Sequence, residues 1–279
     1  MAQAVTPPPL PSRTPKAHAP KPTAAPRPRP KSTAILSPTD LRSFKRLGLG
    51  GRYGLAVSGV GRGQRVQRTG TFASGIAWST SKVPIALAVM AAGQGEAERA
   101  DMAQALMASD NAAATRMWQS LGSAEQAAAA TDAQLAAAGD TVTHTESQAV
   151  AGGGYTPFGQ TVWSLADQTR FAAGMACLPG ADRVLSFMGQ VVPGQRWGLG
   201  ATGYDAQFKG GWGPGTEPGA SGGWLDRQMG LIRVKGKPLA VSIAAADGSH
   251  ETSTRALTTI ARWLVSHADV SRLPSRPAC

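Results

Sequence analysis

Strand-like runs stand at both ends of this chain and an alanine-rich helical stretch lies between them, and this order limits what it can fold into. Near the start, RYGLAVSGV (52–60) and RVQRTG (65–70) flank Gly59-Val60-Gly61-Arg62-Gly63, a hairpin turn. Near the end come DAQFKGG (205–211), LDRQMGLIRVKG (225–236) and KPLAVSIAAA (237–246), the last two joined at Gly236-Lys237-Pro238. Between them, 79–92, 97–108, 111–121, 124–138 and 164–176 have helical composition, with Ser164 and Asp167 spaced as a capping box and Gly152-Gly153-Gly154 as a break. A closing helix over 252–267 carries Leu257, Ile260, Ala261 and Leu264 on one face. Strands, then helices, then strands and a helix predict an α+β fold in which N- and C-terminal strands share one antiparallel sheet packed with helices.

Residues 1–40 read differently. Of 20 prolines in 279 residues, 11 precede Leu41, interleaved with Arg13, Lys16, Lys21, Arg27, Arg29 and Lys31. Such a segment favours extended polyproline II and packs no core, so the sequence divides into a disordered basic linker (1–40) and one domain (41–279). A short helix is expected in SPTDLRSFKRLG, capped at Ser37 or Thr39 and stopped at Gly48. The net charge of +11 brings nucleic acid to mind. However, six cations fall in the linker and the rest form no stripe with aromatics, so nucleic-acid binding is not expected. The linker instead suits an anionic surface such as a cell envelope. The longest apolar run, 83–92, is interrupted by Pro84 and is too short to span a membrane.

MAQAV lacks the apolar core of a signal peptide, although Ala2-Gln3-Ala4 has the small-x-small form found beside a cleavage site. Cys177 and Cys279 allow one disulfide, which would suit export. Equally open at this point is a small buried Cys177 with a free terminal Cys279.

The chemistry is concentrated in three short motifs. In AWSTSKVP (77–84), Ser79 and Lys82 lie three apart, and Pro84 places both in a helix's first turn, the one part of a helix that tolerates proline. A lysine whose pKa is depressed by burial and a second cation can take a serine's proton. Chance alone supplies about one Ser-x-x-Lys in a chain this long, so the motif needs company. That company is Ser109-Asp110-Asn111 and then Lys209-Gly210-Gly211-Trp212. Each also has an ordinary reading: Ser79 as a helix cap, Lys82 with its charged end at the surface, and Ser109 as the N-cap of the following helix.

In this order the three motifs resemble those of the penicillin-recognising serine hydrolases, the class A β-lactamases and D,D-peptidases, over roughly residues 41–267. The resemblance implies acyl-enzyme hydrolysis of an amide or ester. Ser79 would be nucleophile, Lys82 base, Ser109 proton relay and Lys209 the electrostatic tuner. Asn111, Gly211 and Trp212 would bind substrate, with the Ser79 and Trp212 amides as oxyanion hole. It implies no cofactor or metal, a small-molecule or peptidoglycan-like substrate, export or envelope association, and a monomer. Binding of envelope material without catalysis is the alternative.

Three departures qualify that picture. Ser79 and Ser109 are closer than in class A enzymes, so the helical subdomain must be trimmed. Gly210 replaces the threonine whose hydroxyl would hold a substrate carboxylate. The Glu-x-x-Leu-Asn segment that activates the deacylating water is absent, and Glu146 falls a few residues too early to stand in for it. Of the other candidates, His18, His144, His250 and His267 are isolated without metal-ligand spacing, and the aromatics of PFGQTVWS are expected beneath the site.

Overall fold

The two sets of terminal strands do meet. The computed structural model describes Met1 and residues 34–150, 154–220 and 222–279, and the Pro-rich linker expectation lies outside it over residues 2–33. The chain runs through α1 (Pro38–Phe44), β1 (Arg52–Gly59), β2 (Gln67–Gly70) and β3 (Ser74–Ile76). Then follow α2 (Lys82–Ala91), α3 (Arg99–Ala103), α4 (Asn111–Ser120), α5 (Ala124–Ala137), β4 (Val162–Ser164), α6 (Leu165–Met175) and α7 (Ala181–Met188). It closes with β5 (Asp205–Pro214), β6 (Trp224–Val234), β7 (Lys237–Ala246) and α8 (His250–His267). The main sheet is antiparallel in the order β2-β1-β7-β6-β5, which leaves β5 at an edge.

Helices cover both faces of this sheet. The expected stripe of α8, Leu257, Ile260, Ala261 and Leu264, packs with Leu55, Val57, Val241 and Ile243 on one face. Across the other face lie α6 and the α2, α4, α5 and α7 group, sharing a core of Val83, Leu87, Leu106, Met117, Phe171 and Met229. Each fully buried side chain of this kind contributes about 1.5–3 kcal/mol. The folded unit includes residues before Leu41, because Ile35 and Leu36 are buried and the Gln67 side chain binds both their amides, at 2.6 and 3.0 Å.

Three elements differ from expectation. The helix expected over 97–108 stops at Ala103 and opens into a wide π turn, Gln104–Ala108, which delivers Ser109 in the left-handed region at φ 63°. Ser109 is not the N-cap of α4; Asp110 is, its carboxylate accepting from Ala113 N at 2.7 Å, which leaves the Ser109 hydroxyl free for another partner. Asp167 does not complete a capping box at Ser164, since its carboxylate takes the Ser164 hydroxyl and Arg170 instead.

The cysteine alternatives resolve to a disulfide between Cys177 and Cys279, with Cα atoms 5.4 Å apart and a sequence separation of 102. It pins the C-terminal segment where Ala278 bridges Gly61. Closing a loop of that length stabilises a fold by about 4–5 kcal/mol in the chain-entropy description. Reduction should therefore lower the melting temperature by roughly 10 °C in calorimetry with and without a thiol reductant. An unchanged transition would show that the closed loop adds nothing.

Candidate active site

Ser79 sits in a tight 3-10 turn, Trp78–Ser81, that leads directly into α2 at Lys82. Trp78, just before it, has φ 47°, a conformation that costs a bulky residue about 1–3 kcal/mol and persists only where the surroundings impose it. Arg227 and Gln168 supply that constraint. The buried Arg227 guanidinium donates to Gly75 O (2.8 Å), Ile76 O (2.9 Å), Trp163 O (3.0 Å) and Gln168 Oε1 (2.9 Å). Gln168 Nε2 then donates to Thr80 Oγ1 at 2.9 Å, and Thr80 Oγ1 to Ala77 O at 2.5 Å.

No carboxylate is among these partners of Arg227, and burial pushes its pKa down to about 9. Arg227→Met would leave four acceptors without their donor, so it should cost about 3 kcal/mol or more in denaturant unfolding. A loss below about 1 kcal/mol would show that the clamp is dispensable.

Lys82 is 1% exposed. Its Nζ donates to Ser109 O (2.6 Å), Asn111 Oδ1 (2.7 Å) and Asp110 O (3.1 Å). Three acceptors suit an ammonium, yet desolvation outweighs them and lowers its pKa to about 7, the nearby Asp110 charge opposing the shift. Lys209 arrives from β5, its Nζ donating to Ser109 Oγ at 2.8 Å and to Gly210 O at 2.7 Å. Burial first, and the Lys82 charge second, drive its pKa well below the ordinary value. Two lysines thus flank Ser109 from either side, with few compensating charges.

The remaining expected residues converge here too. Gly211 passes so close to the Ser79 turn that a Cβ would stand 2.8 Å from Ser79 N and 2.9 Å from Ala77 O, so only glycine lets β5 approach. Ser79, Lys82, Asn111 and Trp212 line one cavity of about 380 Å³ with Trp78, Tyr155, Phe158 and Trp224. No carboxylate is among its lining residues. Glu146 lines a different cavity with Gln160 and Thr161, and its carboxylate accepts from Gln148 N at 2.8 Å.

Some of the surroundings left little trace in sequence. Gly210 is where a hydroxyl was missed, and a Cβ there would meet the Trp197 ring at 3.2–3.3 Å. His250, isolated in sequence, lies among Trp197, Trp212 and Trp224, with ring centroids 5.8–6.1 Å away. Its Nδ1 is 2.8 Å from Asp226 Oδ1. Of the PFGQTVWS aromatics, Phe158 packs against Trp118 and also lines the Ser79 cavity, whereas Trp163 is buried against Phe171. Among the described residues no group of three or more His, Cys, Asp or Glu side chains could hold a metal ion.

No protein-family model and no curated protein matches the sequence. Solved structures do match the fold. The chromosome-encoded β-lactamase of Vibrio parahaemolyticus superposes with TM-score 0.58 at 15% identity, covering 81% of this chain and 97% of that one. A β-lactamase from Xanthomonas campestris gives 0.59 at 18%, covering 82% and 96%. An ancestral class A β-lactamase gives 0.58 at 18%, covering 81% and 99%. Identity this low carries architecture alone, and the architecture agrees with the motif resemblance: this chain has the fold of the class A β-lactamases.

Proposed function

We propose that the protein is a serine hydrolase that acts on an amide or ester through an acyl-enzyme at Ser79. The observation that carries this reading is the convergence of Lys82 and Lys209 on Ser109, from sequence distances of 27 and 100 residues, beside a serine held on a constrained turn. Neutral Lys82 removes the Ser79 proton as Oγ attacks the carbonyl carbon. The Ser79 and Trp212 amides receive the oxyanion. Collapse breaks the bond to the leaving group, which takes a proton relayed through Ser109, and Lys209 electrostatically favours that relay. Asn111 orients the substrate amide or ester while holding Lys82. Water then cleaves the acyl ester and restores Ser79.

Intact-protein mass spectrometry after exposure to fluorophosphonates, penicillins and activated esters tests this directly. One adduct at Ser79, absent from Ser79→Ala, is expected. Unmodified protein with every probe would favour the second reading, a non-catalytic binder of envelope material. That reading draws on the Lys82 ammonium being hydrogen-bonded to three acceptors other than Ser79 Oγ. Because burial holds Lys82 near 7, the free amine predominates above that pH, so acylation should rise with pH through about 7 and then level off. A rate flat from pH 5 to about 9 would remove Lys82 as the base. The disulfide and the basic linker support an exported, envelope-associated role, and no helix among the described residues is long and apolar enough to cross a membrane.

A further inference from the structure

The aromatic part of the Ser79 cavity has its own chemistry. Trp212, Trp224, Trp78 and Tyr155 line it, the last two edge-on with ring centroids 4.9 Å apart. Beside Trp212, its register partner on β6 is Asp226, which is fully buried. His250 Nδ1 takes one carboxylate oxygen. The Trp224 indole N–H lies beside the carboxylate, yet neither it nor Asp226 Oδ2 closes a hydrogen bond of good geometry. A buried acid therefore stands half satisfied beside these aromatic rings.

The charge balance here does not favour an anion. A carboxylate at Asp226 beside a neutral imidazole makes the pair net negative, and a proton on Asp226 makes it neutral. Burial raises the Asp226 pKa to about 7 against the pull of His250 and Trp224, so around neutral pH both states are within reach. Among the described residues, Lys82 is the one cationic side chain lining this cavity, and its donors are already engaged. Lys209 Nζ lies 6.0 Å from the Trp212 ring, and burial moves it toward the neutral amine. Position 210 offers no hydroxyl, and a side chain there would press on the Trp197 ring.

We propose that Trp212 and Trp224, flanked by Asp226 and His250, form a charge-selective subsite that accepts a cationic group such as an ammonium and rejects a carboxylate on the substrate of Ser79. Aromatic faces attract cations through their quadrupole, and a carboxylate beside them adds to that field, whereas an anion would be desolvated against it. This rests on the hydrolase reading and specifies its substrate class: esters or amides with a cationic group a few bonds from the scissile carbonyl. The preference runs against the net charge of +11, which at long range steers anions inward, so a cation preference must come from local structure.

Three p-nitrophenyl esters test it, with acyl chains ending in trimethylammonium, tert-butyl or carboxylate groups. The nitrophenolate burst gives each acylation rate. The cationic ester is expected to acylate Ser79 about tenfold or more faster than the carboxylate ester, with the neutral one between, and Asp226→Asn should bring the ratio toward one. In the unaltered protein, tetramethylammonium chloride should quench tryptophan fluorescence saturably at constant ionic strength, and sodium acetate should not. A carboxylate ester that reacts as fast as the cationic one, or a ratio unchanged in folded Asp226→Asn, overturns the subsite while leaving the hydrolase standing. If Ser79 resists every ester and fluorophosphonate, the hydrolase reading fails instead. The fluorescence titration then decides the subsite alone: saturable quenching by tetramethylammonium supports it, and none overturns it.

Discussion

Ser79→Ala and Lys82→Met are each expected to slow acylation by about 10⁴-fold or more, and the double variant to lose little beyond either single change. The reason is that nucleophile and base act in one step, so removing either removes that step. Burst kinetics with an activated ester, checked by adduct mass, would read this. Clearly additive losses would show that Lys82 serves Ser79 only by shaping the turn. Methionine keeps most of the lysine's volume but leaves Ser109 O, Asp110 O and Asn111 Oδ1 without their shared donor. A stability loss of about 1–3 kcal/mol should accompany the change, so melting curves must confirm a folded protein.

The second large effect concerns release of the acyl group. General-base assistance to water contributes about a hundred- to ten-thousand-fold, equivalent to roughly 3–5 kcal/mol of barrier. Among the described residues no carboxylate lines the Ser79 cavity, and Glu146 lines a different one. A penicillin or ester that acylates Ser79 should therefore stay attached for minutes or longer, giving a stoichiometric burst and little steady-state turnover. Glu146→Gln should leave that lifetime unchanged. Stopped-flow absorbance paired with adduct mass separates the outcomes: rapid multiple turnovers without accumulated adduct would mean that another group activates the water. Recruitment of Glu146 would be exposed by an adduct that persists only in the Glu146→Gln variant.

The sequence determined those features whose cause is local. Period-two runs at both ends and alanine-rich segments between them gave the α+β order, since side-chain direction in strands and helices follows the backbone repeat. Pro84 fixed the helix start beside Ser79 and Lys82, because proline's ring is compatible with a first turn. The three motifs read in order picked out the residues that the fold brings together. The three-residue strands β3 and β4 were too short to show a period, whereas α7 carries Ala181, Val184, Leu185 and Met188 at helical spacing that was passed over.

Tertiary structure decided what depends on neighbours distant in sequence. Whether Ser109 or Asp110 capped α4 turned on the π turn before it and on Lys209, 100 residues away. The depressed Lys82 pKa is a consequence of burial, which composition does not reveal. Arg227 reads as one more cation on a strand until its four acceptors surround it. Gly210 looked only like a lost hydroxyl, and the Trp197 ring against it limits the room a side chain there would have. His250 and Asp226 stand 24 residues apart with no motif between them. A pair of this kind is made by the approach of α8 to β6, and its chemistry comes from the desolvation that only packing imposes.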